Sequence, residues 1–211
     1  MKATKNNKII QNLELNKIFS SLDDNSTNTT SEEFQNIAKK LFEEYQIKKG
    51  DTRYDFEEIE FYLYTEKHKD NHHVYPRICE AGEWFVHYSG VDLTFQTLKE
   101  DNKVTQCGGI LIRRVKKVGD KYESVGGPLR CLMELFNGQD KPILEKKEKQ
   151  EIKFEVTPRI GIITNTVPDK RKYRFVRKEL NTAINSETPQ YLNAEIVIKG
   201  KKYTYNPKYE D

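Results

Sequence analysis

The segment Tyr54-Asp55-Phe56-Glu57-Glu58-Ile59-Glu60-Phe61-Tyr62-Leu63-Tyr64 constrains the chain more than any other, because apolar and polar residues alternate along it with a period of two. Successive side chains of a strand point to opposite faces, so Ile59, Phe61 and Leu63 form an apolar row while Glu58, Glu60, Tyr62 and Tyr64 form the other. The first row predicts one wall of a core. The second sets carboxylates beside phenols, and a carboxylate withdrawn from water among tyrosines is costly unless it is paired or performs chemistry. Such a row suits a general base beside a stacking platform; it equally suits a strand whose polar side faces solvent.

A chain of 211 residues supports one domain with a buried core. With 36% hydrophobic and 33% charged residues, that core is lean and the surface heavily charged. No run reaches the roughly 18 apolar residues of a membrane helix, and nothing apolar follows Met1-Lys2-Ala3-Thr4-Lys5 to act as a secretion signal. The expectation is an intracellular protein, cytoplasmic or nucleoid-associated, monomeric and without a membrane partner. Cys79, Cys107 and Cys131 are odd in number and widely spaced, which fits neither a disulfide framework nor paired zinc ligands. They read as reduced thiols.

Residues 1–30 form a polar, partly flexible lead-in, in which Lys8 to Leu22 can contain a short helix. Thr30-Ser31-Glu32-Glu33 makes a capping box, and Phe34, Ile37, Ala38, Leu41, Phe42 and Tyr45 follow at helical spacing, predicting a helix from Ser31 to about Gln46. A histidine-rich loop spans Thr65 to Arg77. Strands are predicted over Glu83 to Tyr88 and Val91 to Thr97, joined by a Ser89-Gly90 turn, and over Ile110 to Val115. In the last of these, Leu111, Arg113 and Val115 fall on one side and Ile110, Ile112 and Arg114 on the other. Pro128 opens an amphipathic helix over Leu129 to Phe136. Residues 139–153 read as a charged linker, and strands return around Ile160 to Thr164, Arg174 to Val176 and Glu195 to Tyr205, with a turn at Lys199-Gly200-Lys201. Residues 31–211 are therefore expected to form a single α+β domain: a mixed, mostly antiparallel sheet with a protruding β-hairpin and packed helices.

The formal charge of +3 does not by itself point to nucleic acid, but the positive charge is clustered. One group is Arg113, Arg114, Lys116, Lys117 and Lys121; the other is Lys170, Arg171, Lys172, Arg174, Arg177 and Lys178. Either can be a phosphate-binding patch or an ordinary solvated face.

Taken together, the order and spacing of these motifs resemble the alkyladenine (3-methylpurine) DNA glycosylase family over roughly residues 31–178. The helix from Ser31 occupies the place of that family's early amphipathic helix. Glu58-Ile59-Glu60-Phe61-Tyr62 is similar to its E-x-E-x-Y strand. Gly82-Glu83-Trp84-Phe85-Val86-His87-Tyr88-Ser89-Gly90 resembles its aromatic hairpin, Gly109-Ile110-Leu111-Ile112-Arg113 its apolar strand ending in a buried arginine, and Gly127-Pro128-Leu129-Arg130-Cys131 its Gly-Pro helix start. Thr157-Pro158-Arg159-Ile160-Gly161-Ile162 with Tyr173-Arg174-Phe175-Val176 resembles its closing pair.

The resemblance implies a monofunctional glycosylase that extrudes a damaged base from duplex DNA and needs no cofactor or metal. Glu60 then matches the carboxylate that activates water for attack on the anomeric carbon, through an oxocarbenium-like transition state, and Arg113 the arginine beside that water. Tyr62 and His87 match the walls of the base pocket. The family's phosphate-contacting histidine falls near His72 or His73, Tyr88 is the candidate wedge, and Arg114, Lys116 and Lys117 of the first basic cluster are the further expected DNA contacts. Two departures stand out: His87 replaces a second stacking tyrosine, and Ser89 holds the position before glycine where the family has its wedge tyrosine, leaving Tyr88 one residue early.

Two other readings compete. His68, His72 and His73, with Glu66 and Asp70 nearby, can be taken as a metal cluster of a hydrolase, although their spacing matches no defined ligand pattern. A non-catalytic module that binds a modified nucleotide or nucleic acid on the same fold is the other.

Overall fold

A computed structural model of the protein describes residues 27–65, 68, 70, 77–119, 123–164, 167–168, 170–178, 194–198 and 201–205; residues 27–30, 123, 163–164, 167–168, 194–198 and 201–205 are described by their backbone alone. The alternating segment forms the longest stretch of the sheet's centre, β2 (Thr52–Thr65), which pairs antiparallel with β6 (Lys103–Val118) from Arg53↔Val118 to Thr65↔Gln106. The opposite edge of β2 is divided. Residues 52–54 pair with β1 (Tyr45–Lys49) and residues 58–60 with β12 (Arg174–Arg177), so the sheet splits and curls around β2.

The main path runs β3 (Trp84–His87), β4 (Gly90–Thr94), β6, β2, β1, β8 (Ile143–Lys146). To β6 are added β5 (Leu98–Glu100) and β7 (Glu123–Gly126), and to β12 is added β9 (Phe154–Thr157), making ten strands. Two small hairpins complete the described strands: β10 (Ile163–Thr164) with β11 (Val167–Pro168), and β13 (Ala194–Ile198) with β14 (Lys201–Tyr205), the latter bracketing the predicted terminal turn. Every pairing among the described strands is antiparallel, so the mixed sheet expected from sequence is corrected to an antiparallel one. With two described helices, α1 (Thr27–Glu44) and α2 (Pro128–Phe136), the molecule is mostly sheet.

The core lies where the apolar periodicities placed it. Phe34, Ile37, Ala38, Leu41 and Phe42 of α1 are buried against Ile59, Phe61 and Leu63 of β2. Phe34 stacks on Phe61 with centroids 4.5 Å apart and meets Tyr173 edge-on at 5.0 Å. Fully burying one such ring contributes about 1.5–3 kcal/mol. The helix ends at Glu44, two residues before the predicted end, because Tyr45 and Ile47 exchange helical spacing for pairing with Lys146 and Leu144 of β8. It also begins at Thr27, so the capping box proposed at Thr30 lies inside the helix.

The predicted faces of β6 need correction. Val115 joins Ile110 and Ile112 in the core, out of phase with simple alternation. The register explains it: Phe56 pairs with Val115, Glu58 with Arg114, and Ile59 with Ile112, so Glu57 is an extra residue on β2 and Arg113 an extra residue on β6. The two bulges offset one another.

The β3–β4 hairpin turns at Tyr88-Ser89 rather than Ser89-Gly90, since Gly90 pairs with His87. It is the edge of the sheet rather than a separate arm, and what projects is the turn, where Tyr88 is 81% exposed. The charged segment 139–153 contains β8, tied down by Trp84 Nε1 donating to the Pro142 carbonyl at 2.8 Å. The short helix expected within Lys8 to Leu22, and Glu66, His72, His73 and Lys121, lie outside the described residues. No described helix is long and apolar enough to cross a membrane.

Candidate functional site

On the face of β2 opposite the main core, four strands line up their residues. Arg174 of β12 pairs with Glu60 of β2, Glu60 with Leu111 of β6, and Leu111 with Asp92 of β4. One register step along, Tyr62 pairs with Gly109, which faces Thr94. A Cβ at Gly109 would lie 2.9 Å from the Leu93 carbonyl and 3.2 Å from Arg77 Nη1, so only glycine leaves room there for the Arg77 guanidinium to reach Asp92.

This face is not the solvated side of a strand. Glu60 has no exposed surface, and Glu58 and Tyr62 are buried. A buried carboxylate costs several kcal/mol unless its lone pairs are met, and those of Glu60 are. The Tyr62 hydroxyl donates to Oε2 at 2.9 Å, Arg113 Nη1 to the same oxygen at 3.1 Å, and the Ile160 backbone N–H to Oε1 at 2.8 Å. Glu58 accepts from Arg113 Nε at 3.0 Å and Arg174 Nε at 2.7 Å, with Arg114 Nε at 3.8 Å. The paired bulges bring consecutive Arg113 and Arg114 to the same carboxylate, where unbroken alternation would have sent one into the core. Three guanidinium groups thus meet two carboxylates, with one positive charge in excess.

Burial, followed by the charge of Glu60 and its hydrogen bond, pushes the Tyr62 phenol up, so this hydroxyl stays protonated and serves as a donor. Tyr62 also packs with Cys107 and Leu111 in a second, smaller apolar cluster. Its ring carries the Arg159 guanidinium at 4.7 Å. Arg159 is fixed in turn: Nη1 and Nη2 donate to Asp70 at 2.5 and 3.1 Å, and Nη1 to the Phe61 carbonyl at 3.1 Å. Arg171 Nη2 reaches the same Asp70 at 2.8 Å. His68 is held in the same way: its ring nitrogens meet the Leu63 carbonyl at 2.8 Å and the Tyr173 hydroxyl at 3.0 Å. His68 is committed to the fold, and among the described residues no group of His, Cys, Asp and Glu is arranged to hold a metal ion.

His87 sits on the hairpin with its ring stacked on Phe85 at 5.9 Å and its nitrogens shared between Asp92 and Ser89. Arg114, Lys116 and Lys117 run along β6 and are partly buried. Of the second basic cluster, Arg171, Arg174 and Arg177 turn inward to Asp70, Glu58 and Asp55, and Lys178 meets Glu155 at 3.9 Å, whereas Lys170 and Lys172 are exposed. Cys79, Cys107 and Cys131 form no disulfide.

Sequence reasoning assembled Glu60, Tyr62 and Arg113, and the structure brings these together within hydrogen-bonding distance. It assigned no role to Asp92, Arg77 or the Ile160 amide, placed Asp70 only beside the competing metal cluster, and read Arg159 only as part of a motif. Asp92 had a signal, a lone acid between Val91 and Leu93 on the polar side of a strand, but its partner Arg77 is 15 residues away. No protein-family model matches this chain, and neither does any curated protein.

Proposed function

We propose that this chain is a DNA glycosylase of the alkyladenine type, which hydrolyses the N-glycosidic bond of a damaged or modified base flipped out of duplex DNA. The observation that carries this reading is Glu60: a carboxylate withdrawn from water, oriented from three directions by Tyr62, Arg113 and Ile160, on the face of the sheet that ends at the exposed Tyr88. Structural ion pairs can be as deeply buried.

In the reaction Glu60 takes a proton from water as the water oxygen attacks the anomeric carbon and the bond to the base breaks. Its negative charge stabilises the oxocarbenium character that develops on the sugar. Arg113, bridging Glu58 and Glu60, keeps the oxygens of the carboxylate aimed. Tyr62 and His87 bound the base, for which Arg159 must leave the Tyr62 ring. Tyr88 enters the gap left in the stack, and Arg114, Lys116, Lys117, His72 and His73 contact the backbone. The protein acts as an intracellular monomer on DNA.

One observation favours the non-catalytic alternative: both Glu60 oxygens are already satisfied by protein donors, as in a purely structural carboxylate. Duplexes carrying a panel of alkylated or otherwise modified bases decide between them. Alkali-labile abasic sites formed by the native protein and not by Glu60→Gln are the expected result. Binding without cleavage by either protein would leave the fold as a recognition module, and neither binding nor cleavage would end the nucleic-acid reading.

A further inference from the structure

At the β3–β4 turn three side chains from a six-residue stretch make a connected relay. Ser89 Oγ lies 2.9 Å from His87 Nδ1, His87 Nε2 lies 3.1 Å from Asp92 Oδ1, and the other Asp92 oxygen accepts from Arg77 Nη1 at 2.6 Å. The direction of each hydrogen bond follows from its partners. A carboxylate that accepts from Arg77 through one oxygen accepts through the other as well, so His87 Nε2 is the donor to Asp92. The Ser89 backbone N–H only donates, and it points at Nδ1 at 3.4 Å, so Nδ1 is the bare nitrogen. The Ser89 hydroxyl therefore donates to a basic nitrogen whose ring is oriented by a carboxylate, itself fixed by a guanidinium. The Asp92 and Arg77 side chains are almost wholly buried, while the turn bearing Ser89 lies at the surface.

We propose that Ser89 is an activated nucleophile, with His87 as its general base and Asp92 as the orienting acid, reacting with small acyl esters. This goes beyond glycosidic chemistry and does not depend on it. The arrangement meets the nucleophile–base and base–orienter geometry of nucleophilic catalysis by serine: nucleophile and base within 2.6–3.2 Å, and the base held by a third group. The imidazole nitrogens exchange the roles familiar from serine hydrolases, because Ser89 is only two residues from His87 and meets the near side of the ring. Acyl esters fit a relay that supplies a nucleophile and a proton acceptor: the carbonyl carbon is the electrophile, and the departing alkoxide takes up the proton held by the base. Ser89 Oγ attacks the carbonyl carbon and forms the C–O bond as its proton passes to His87 Nδ1. The tetrahedral adduct expels the alcohol, which leaves with that proton. Water, deprotonated by the same nitrogen, then releases the carboxylic acid and restores Ser89.

The test treats the folded full-length protein with a fluorophosphonate and follows p-nitrophenyl acetate hydrolysis in parallel. The expected result is a single phosphonyl adduct on the peptide containing Ser89, absent in Ser89→Ala and in urea, with labelling slowed about 10²-fold or more in His87→Gln. Asp92→Asn slows labelling at least about tenfold while Ser89 remains in place. Ser89→Cys guards against a folding defect in the other variants: the introduced thiol should alkylate with iodoacetamide about tenfold faster than in the Ser89→Cys/His87→Gln double variant, as thiolate formation beside a base requires. No adduct on the native protein, an adduct that persists in Ser89→Ala, or equal alkylation of the two thiol variants overturns the proposal and reduces the relay to the capping of a turn.

Discussion

Glu57 and Glu60 are close in sequence but placed differently by the bulge in β2. Glu60 is met by donors on both oxygens. Glu57, the extra residue, is buried with Ser124 as its hydrogen-bond donor at 2.5 Å, and burial pushes its carboxyl up despite Ser124, Lys116, Arg114 and Arg177 pulling the other way. The folded state therefore holds the Glu57 proton more tightly than the unfolded chain does, so stability from this group is fully present below its unfolded value and falls as pH rises through the folded one. Glu57→Gln, which keeps an acceptor for Ser124, should melt a few degrees higher than the native protein at neutral pH, with the difference vanishing as pH falls below the ordinary glutamate range; melting curves across pH check this. Glu60→Gln should reduce base release by about 10²–10⁴-fold, the range for loss of a general base, while leaving DNA affinity intact or raised, read by single-turnover cleavage and by titration of the same duplex. A drop in affinity equal to the drop in rate would make Glu60 a binding group.

Helix α1 and strand β2 show how elements support the site. The apolar row of β2 packs under α1, which fixes the strand whose other face carries Glu58, Glu60 and Tyr62. Phe34 touches Phe61, Phe95 and Tyr173 at once. Phe34→Ala should cost about 3–5 kcal/mol in urea unfolding, the range for emptying a fully buried aromatic site. α1 was legible in sequence because its five buried apolar residues keep one helical spacing without interruption. The pairing of β6 was not, because a bulge inserts a residue without leaving a compositional mark: Arg113-Arg114 reads as one inward and one outward arginine, and only the register with β2 turns both toward Glu58.

At the scale of the molecule, distant segments converge on one face of the sheet. Asp70, in a histidine-rich stretch with no readable periodicity, clamps Arg159 from a loop 89 residues later, and that loop supplies the Ile160 amide to Glu60. Asp70→Asn removes the buried carboxylate that Arg159 and Arg171 share and should destabilise the fold by about 3–5 kcal/mol by chemical denaturation, as expected for breaking a buried ion pair. The basic clusters are likewise redistributed by folding. With Arg171, Arg174 and Arg177 turned to carboxylates, Lys170 and Lys172 remain to meet phosphate at that end. Replacing both by alanine should reduce the slope of log K against log salt for duplex DNA by about 0.9 per lysine. An unchanged slope would move the footprint to β6 and the hairpin.

What the sequence determined by itself was local: the α1 core stripe, the two faces of β2, the hairpin with its exposed aromatic, and the neighbourhood of Glu60 and Tyr62. These follow from periods of 3.6 and 2 and from residues a few positions apart. Tertiary structure alone decided that the polar face of β2 is buried, that Arg113 and Arg114 share a carboxylate, and that Asp92 meets Arg77 and His87. Those outcomes depend on register and on chain crossing, which bring together residues whose separation along the chain carries no trace of their contact.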